Sequence, residues 1–166
     1  MRAIRFTHVS IHAYDLEESV RFYVEVFGMQ HVPSPDFAEH VEWLQFGDQQ
    51  LHLFLTEDPA PARHHIGLDV HDFEAAYQVA IERDLFDDGV FGATVRELLD
   101  GTVQMYLRDP AGNLVEVNWP DASTIDRSIV TNISHIEDER PQTGRAREAT
   151  LYARSPSGIA AANDSR

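Results

Sequence analysis

Alternation of apolar and polar residues opens the chain at His8-Val9-Ser10-Ile11-His12-Ala13 and returns at His65-Ile66-Gly67-Leu68-Asp69-Val70. In both places an aspartate stands seven positions after the histidine (Asp15, Asp72), and the period then changes from two to that of a helix. Leu16, Val20, Tyr23 and Phe27 fall on one face of the first helical segment. Asp15 with Glu18 forms a capping box before it, and Gly28 sits where a helix of this length ends. The spacing predicts helices over 16–27 and 73–83.

Short apolar strands follow each helix. In the first half they are predicted at 29–32, 40–46 and 50–56, with Gly47-Asp48 as a turn. In the second they are predicted at 94–99, 102–108 and 114–119, with turns at Asp100-Gly101 and Asp109-Pro110-Ala111-Gly112-Asn113. His65 follows His8 by 57 positions, so one βαβββ unit is used twice. The pattern gives an α+β chain of two tandem modules, residues 1–58 and 63–120, joined by the stiff linker Pro59-Ala60-Pro61-Ala62. Two curved mixed sheets then face one another around a cleft.

Past Pro120 the periodicity fades. Residues 121–166 are polar, and Ile125, Ile129, Val130 and Ile133 support one short helix at most. The sequence predicts an arm lying over a partner subunit, or partial disorder.

Repetition also selects the candidate chemistry. The last strand of each module carries one side chain able to ligate a metal, His52 in one and Glu116 in the other, so His8/His65 and His52/Glu116 form two pairs of mates. A carboxylate between Val115 and Val117 in an apolar strand is costly unless it is paired or bound to a cation. Ser10 and His12 share the parity of His8, whereas His64 has the opposite parity to His65 and is expected to turn away.

Charge and composition narrow the classes. The 166-residue chain has a net charge of −15, and its 13 basic residues are all arginine. Such a surface repels phosphate backbones and anionic lipids, which argues against nucleic acid or a membrane as partner. Without cysteine there is no disulfide, iron–sulfur cluster or thiol nucleophile, and without lysine there is no Schiff-base chemistry. No apolar run approaches the roughly 20 residues of a bilayer span, and the first residues lack a signal-peptide pattern, so a soluble, cytoplasmic protein is expected.

A doubled βαβββ unit with a histidine opening each copy, Phe27-Gly28 closing the first helix, His65-Ile66-Gly67-Leu68, and Asp109-Pro110-Ala111-Gly112-Asn113-Leu114-Val115-Glu116 resembles the vicinal oxygen chelate superfamily. That group includes glyoxalase I, methylmalonyl-CoA epimerase, extradiol dioxygenases, fosfomycin-modifying transferases and bleomycin-binding proteins. The resemblance implies a divalent metal ion held by His8, His52, His65 and Glu116, a small-molecule substrate and a homodimer. Imidazole and carboxylate ligands suit Zn, Ni, Fe(II), Mn or Co equally.

The resemblance implies glyoxalase- or epimerase-like proton transfer through an enediolate, with Glu116 or His52 as base. Tyr106, in Met105-Tyr106-Leu107-Arg108-Asp109-Pro110, is similar to part of an extradiol dioxygenase signature, yet Arg96 to Gly101 lacks the histidine which that signature requires. The alternative to an enzyme is an antibiotic-binding protein that uses Trp43, Phe54 and Trp119 as stacking surfaces.

Overall fold

The computed structural model describes residues 4–87 and 89–152. Each half is a strand, a helix and three further strands. The first comprises β1 (His8–Ala13), α1 (Leu16–Phe27), β2 (Gln30–Val32), β3 (Val41–Phe46) and β4 (Gln49–Leu55). The second comprises β5 (His65–Asp69), α2 (Phe73–Glu82), β6 (Val95–Glu97), β7 (Val103–Arg108) and β8 (Leu114–Trp119). The expected α+β architecture of tandem modules is present, as two curved, open mixed sheets.

The helix ends form as the capping residues dictate. Asp15 accepts from the Glu18 amide at 2.9 Å and Asp72 from the Ala75 amide at 2.9 Å. Gly28 ends α1 with φ of 65°, a left-handed conformation that a side chain would disfavour.

The strand order is β1-β4-β3-β2 in the first sheet and β5-β8-β7-β6-β9 in the second, where β9 is Ile133–His135. In each module the histidine-bearing first strand runs parallel to the last, β1 with β4 and β5 with β8. Strand alternation then sorts the faces. Leu51, Leu53, Val115 and Val117 turn toward the helices and join one core with Tyr23, Phe73 and Tyr77. Their neighbours His52, Glu116 and Asn118 occupy the other face.

The Asp109–Asn113 turn joins the modules. Asp109 Oδ1 accepts from the amides of Ala111 and Asn113, while its Oδ2 accepts from the Tyr23 hydroxyl of α1 at 2.9 Å and from Asn113 Nδ2 at 2.7 Å. Asn113 Nδ2 also donates to the His12 carbonyl of β1 at 2.7 Å.

The segment beyond Pro120 departs from expectation. Ile133 does not extend a helix; it begins β9 (Ile133–His135), which adds to β6 in parallel. Three-residue β6 otherwise leaves an open backbone edge, and satisfying that edge outweighs weak local propensity. A 3₁₀ turn at Ala122–Thr124, the four-residue α3 (Ile136–Glu139) and a 3₁₀ turn at Gly144–Glu148 complete this arm. It packs on its own chain, with Ile125 and Val130 buried in the core. The rest of the expected tail, 153–166, lies outside the described residues.

Candidate functional site

Strand parity places His65, Gly67 and Asp69 of β5, Glu116 and Asn118 of β8, and Gln104 and Tyr106 of β7 on the face turned away from the helices. Glu116 is its centre. The carboxylate is almost fully buried, accepts from the Tyr106 hydroxyl at 2.6 Å, and lies 3.4 Å from His65 Nε2. Burial, then the hydrogen bond and charge of Glu116, push the Tyr106 phenol well above its usual range, so it remains a donor at neutral pH.

His65 Nδ1 is 3.0 Å from the Arg63 carbonyl, a contact that needs the proton on Nδ1, and Nε2 is the ring nitrogen that faces Glu116. Phe91 forms a wall, with its ring centroid 4.6 Å from that of Tyr106 and 5.9 Å from that of His65. Gly67 permits close approach: a Cβ there would stand 3.3 Å from Asn118 Nδ2 and 3.6 Å from Glu116 Oε1.

The first module presents a second cluster. His52 is sandwiched between Trp43, at 4.3 Å and 5°, and His8, at 4.4 Å and 12°. Burial lowers the His52 pKa and the neighbouring His8 lowers it further, so the ring is neutral at pH 7. Its Nε2 lies 3.0 Å from Gln50 Oε1, and His8 Nδ1 lies 3.0 Å from Thr7 Oγ1.

The five candidates therefore gather as His8 with His52, and as His65 with Glu116 and Tyr106. Among the described residues, no three His, Cys, Asp or Glu side chains form a group that could hold a metal ion. A cleft of about 800 Å³ between the end of α1, β3 and the start of α2 is lined by none of the five. Ser10 and His12 border a groove of about 280 Å³ between β1 and β5, and His64, expected to turn away, borders it too.

Trp119 departs from its expected place in the cleft. One position beyond Asn118, it shares parity with Val117, packs on the core and donates to Thr124 Oγ1 at 2.8 Å. Asn118 and Gln104 were missed, although a two-residue step from Glu116 and from Tyr106 would have found them. Phe91 lies in an irregular loop and Tyr152 in the arm, where no periodic signal exists.

The profile of the Glyoxalase/Bleomycin resistance protein/Dioxygenase superfamily matches residues 5–117. The chain belongs to this superfamily. Solved structures of superfamily proteins agree in fold. A protein from Bacillus anthracis assigned to the glyoxalase family is 24% identical over 71% of this chain and 98% of its own, with a TM-score of 0.54. A glyoxalase/bleomycin resistance protein/dioxygenase from Alicyclobacillus acidocaldarius is 25% identical over 76% of this chain and 100% of its own, with a TM-score of 0.51. A lactoylglutathione lyase from Agrobacterium tumefaciens is 21% identical over 70% of this chain and 94% of its own, with a TM-score of 0.54. A search of curated proteins finds no match. Among the described residues, no helix is long and apolar enough to cross a membrane.

Members of the superfamily typically use divalent metals. The His65–Glu116 pair suits such an ion in donor chemistry: imidazole Nε2 stands beside a buried carboxylate whose two partners, a phenol and an imidazole, carry no fixed positive charge. His8 and His52 are of suitable type but do not join that pair within one chain.

Proposed function

We propose that this superfamily member is a divalent-metal-dependent enzyme of glyoxalase or epimerase type, soluble and cytoplasmic, acting on a small substrate that presents two neighbouring oxygens. The observation that carries this reading is the buried Glu116 carboxylate, held by Tyr106 and flanked by His65 Nε2. His65 and Glu116 would hold the ion, with His8 and His52 delivered by a second copy of the chain in a homodimer. Zn, Ni, Fe(II), Mn and Co all suit this set. A bound divalent ion would supply Lewis acidity to the two substrate oxygens.

The chain's own residues account for the proton. Tyr106 fixes Oε2 of Glu116, and Oε1 lies on the Gly67 side. Glu116 takes a hydrogen, as a proton, from the carbon beside the substrate carbonyl; the C–H electron pair becomes the C=C bond, the carbonyl π pair moves to oxygen, and an enediolate forms. Return of the proton to the opposite face of the same carbon completes an epimerisation; its delivery to the neighbouring carbon, with the hydroxyl proton passing to the enolate oxygen, completes an isomerisation, and neither needs a further reactant. The Phe91 ring closes one side of this face against Tyr106 and His65.

A second reading, an aromatic-ligand binding protein, is supported by the Trp43–His52–His8 stack, onto which a planar molecule could extend.

Elemental analysis of protein purified without chelator tests the first reading. Stoichiometric metal in the wild type, its loss in His65→Ala and Glu116→Gln, and its partial recovery when His52→Ala and His65→Ala subunits are mixed are the expected results. Metal content unchanged in His65→Ala overturns it, and oxygen uptake with catechol would move the assignment to ring cleavage.

A further inference from the structure

The second sheet buries more polar side chains than a Glu116-centred reaction needs. Gln104 pairs with Asn118 and Tyr106 with Glu116 across β7 and β8, and all four are at most 7% exposed. Tyr106 and Glu116 satisfy each other. Among the described residues, Asn118 Oδ1 is buried with no hydrogen-bond partner. An orphaned acceptor is a standing cost that folds keep in few places. This one shares a face with Glu116, and Gly67 provides the room beside it.

The C-terminal arm covers this end of the face. It leaves β9 at one edge of the sheet and reaches Tyr152, whose hydroxyl donates to Asp69 Oδ1 at 2.7 Å on β5, the opposite edge. Between these points, Glu139 accepts from Arg96 Nε at 3.1 Å and Nη2 at 2.6 Å, and the Leu151 amide donates to Asp100 Oδ2 at 2.9 Å. Arg96 also donates to the Phe91 carbonyl at 2.6 Å, so one guanidinium ties the aromatic wall to the arm. These anchors are polar, near the surface and few, the kind of contact that opens locally.

We propose that Asn118 is a specificity-determining residue whose side-chain oxygen receives a hydrogen from a hydroxyl or amine substituent of the substrate, and that residues 149–152 form the removable wall of this subsite. The substrate class rests on the enzyme reading above; the subsite itself does not. Its acceptors are Asn118 Oδ1 and the carboxylates of Asp69 and Asp100, so it favours a neutral or cationic donor and rejects a second carboxylate or a phosphate. Tyr152, raised by burial and then by Asp69, keeps its proton and can re-form the latch after each exchange of ligand.

Hydroxyacetone and dihydroxyacetone serve as probes, because both carry the neighbouring oxygens and the second adds one hydroxyl. In saturation-transfer NMR titrations the wild type is expected to prefer dihydroxyacetone by about fivefold, the range of one neutral hydrogen bond. Asn118→Leu is expected to reduce that preference to under about twofold, with hydroxyacetone affinity unchanged and no loss of thermal stability. A preference that persists in Asn118→Leu, no preference in the wild type, or no binding of either probe overturns the proposal. Exchange of carbon-bound hydrogen with deuterated solvent is read in the same samples. Its absence with the preference intact defeats the proton-transfer reading alone.

Discussion

Tyr106 donates its hydroxyl hydrogen to Glu116 Oε2 over 2.6 Å, and the two residues are direct register partners across β7 and β8. Both are buried, so the bond fixes the carboxylate's orientation as well as satisfying it. Tyr106→Phe removes the donor while keeping the ring against Phe91. If Glu116 holds a metal ion as proposed, metal affinity is expected to fall by about 10- to 100-fold, as when a ligand's supporting partner is lost, with a stability cost of about 1–3 kcal/mol. Competition with a chromogenic chelator and urea unfolding check the two effects; unchanged metal affinity would separate Tyr106 from the site.

Gly67 is required by what stands above it, since its backbone is not in the left-handed region. The added methyl of Gly67→Ala would meet Asn118 Nδ2 at 3.3 Å, so a neighbour must move by a few tenths of an ångström. Because Asn118 and Glu116 are adjacent on that face, the movement is expected to misplace the carboxylate. The variant should fold with a melting temperature close to wild type and lose at least about tenfold in turnover, the sensitivity expected of a misplaced reacting group. Parallel thermal melts and rate measurements check this, and full activity would show that the close approach is incidental.

Much of this was legible in the chain. Asp15, Asp72 and Gly28 mark helix ends because capping is local chemistry. The faces of His52 and Glu116 follow from a period of two. The relative placement of the two sheets was not legible: parity says which way His8 and His65 point but not how far apart the modules hold them, and the structure gathers two pairs in place of one quartet. Ile133 was misread because an open sheet edge, invisible locally, decided its conformation. Tyr152 escaped for the same reason, since its partner Asp69 is 83 positions away.

The arm carries opposite titrations at its anchors. The Arg96 guanidinium holds Glu139 below the usual carboxylate range. Burial pushes Asp100 up, but hydrogen bonds from the Leu151 and Thr102 amides more than offset it, and its pKa is also depressed. Both contribute stability present above the ordinary carboxylate pKa of about 4 and lost as pH falls through the depressed values. Tyr152 is raised, so its contribution is present below the ordinary phenol pKa of about 10 and lost as pH climbs through the raised one. The arm is expected to stay docked between these limits and to loosen outside them, with Glu139→Gln weakening docking at neutral pH. The Leu151 amide resonance, followed by NMR as the pH is lowered from neutrality, reports this directly, and docking that never weakens on acidification would contradict it.

The turn that carries the Asp-Pro-Ala-Gly-Asn motif is a weld between modules, and its removal is expected to change cooperativity as well as stability. Asp109 is buried, with its pKa raised by desolvation even though Asn113, Tyr23 and Ala111 all donate to it. Asp109→Ala would orphan the Tyr23 hydroxyl and two backbone amides, each worth about 1–3 kcal/mol, against a total stability of about 5–15 kcal/mol for a domain. Tyr23→Phe removes only one donor and is expected to cost about 1 kcal/mol. Asn113→Ala breaks the bond to the His12 carbonyl, the hydrogen bond from this turn to β1. Because Tyr23 and Asn113 reach the same Asp109 oxygen, the two substitutions should be non-additive in a double-mutant cycle. If the turn couples the halves, Asp109→Ala will unfold over a broadened urea transition with a reduced slope, as two modules opening separately must. A single transition with the wild-type slope would mean that the shared apolar core alone holds the modules together.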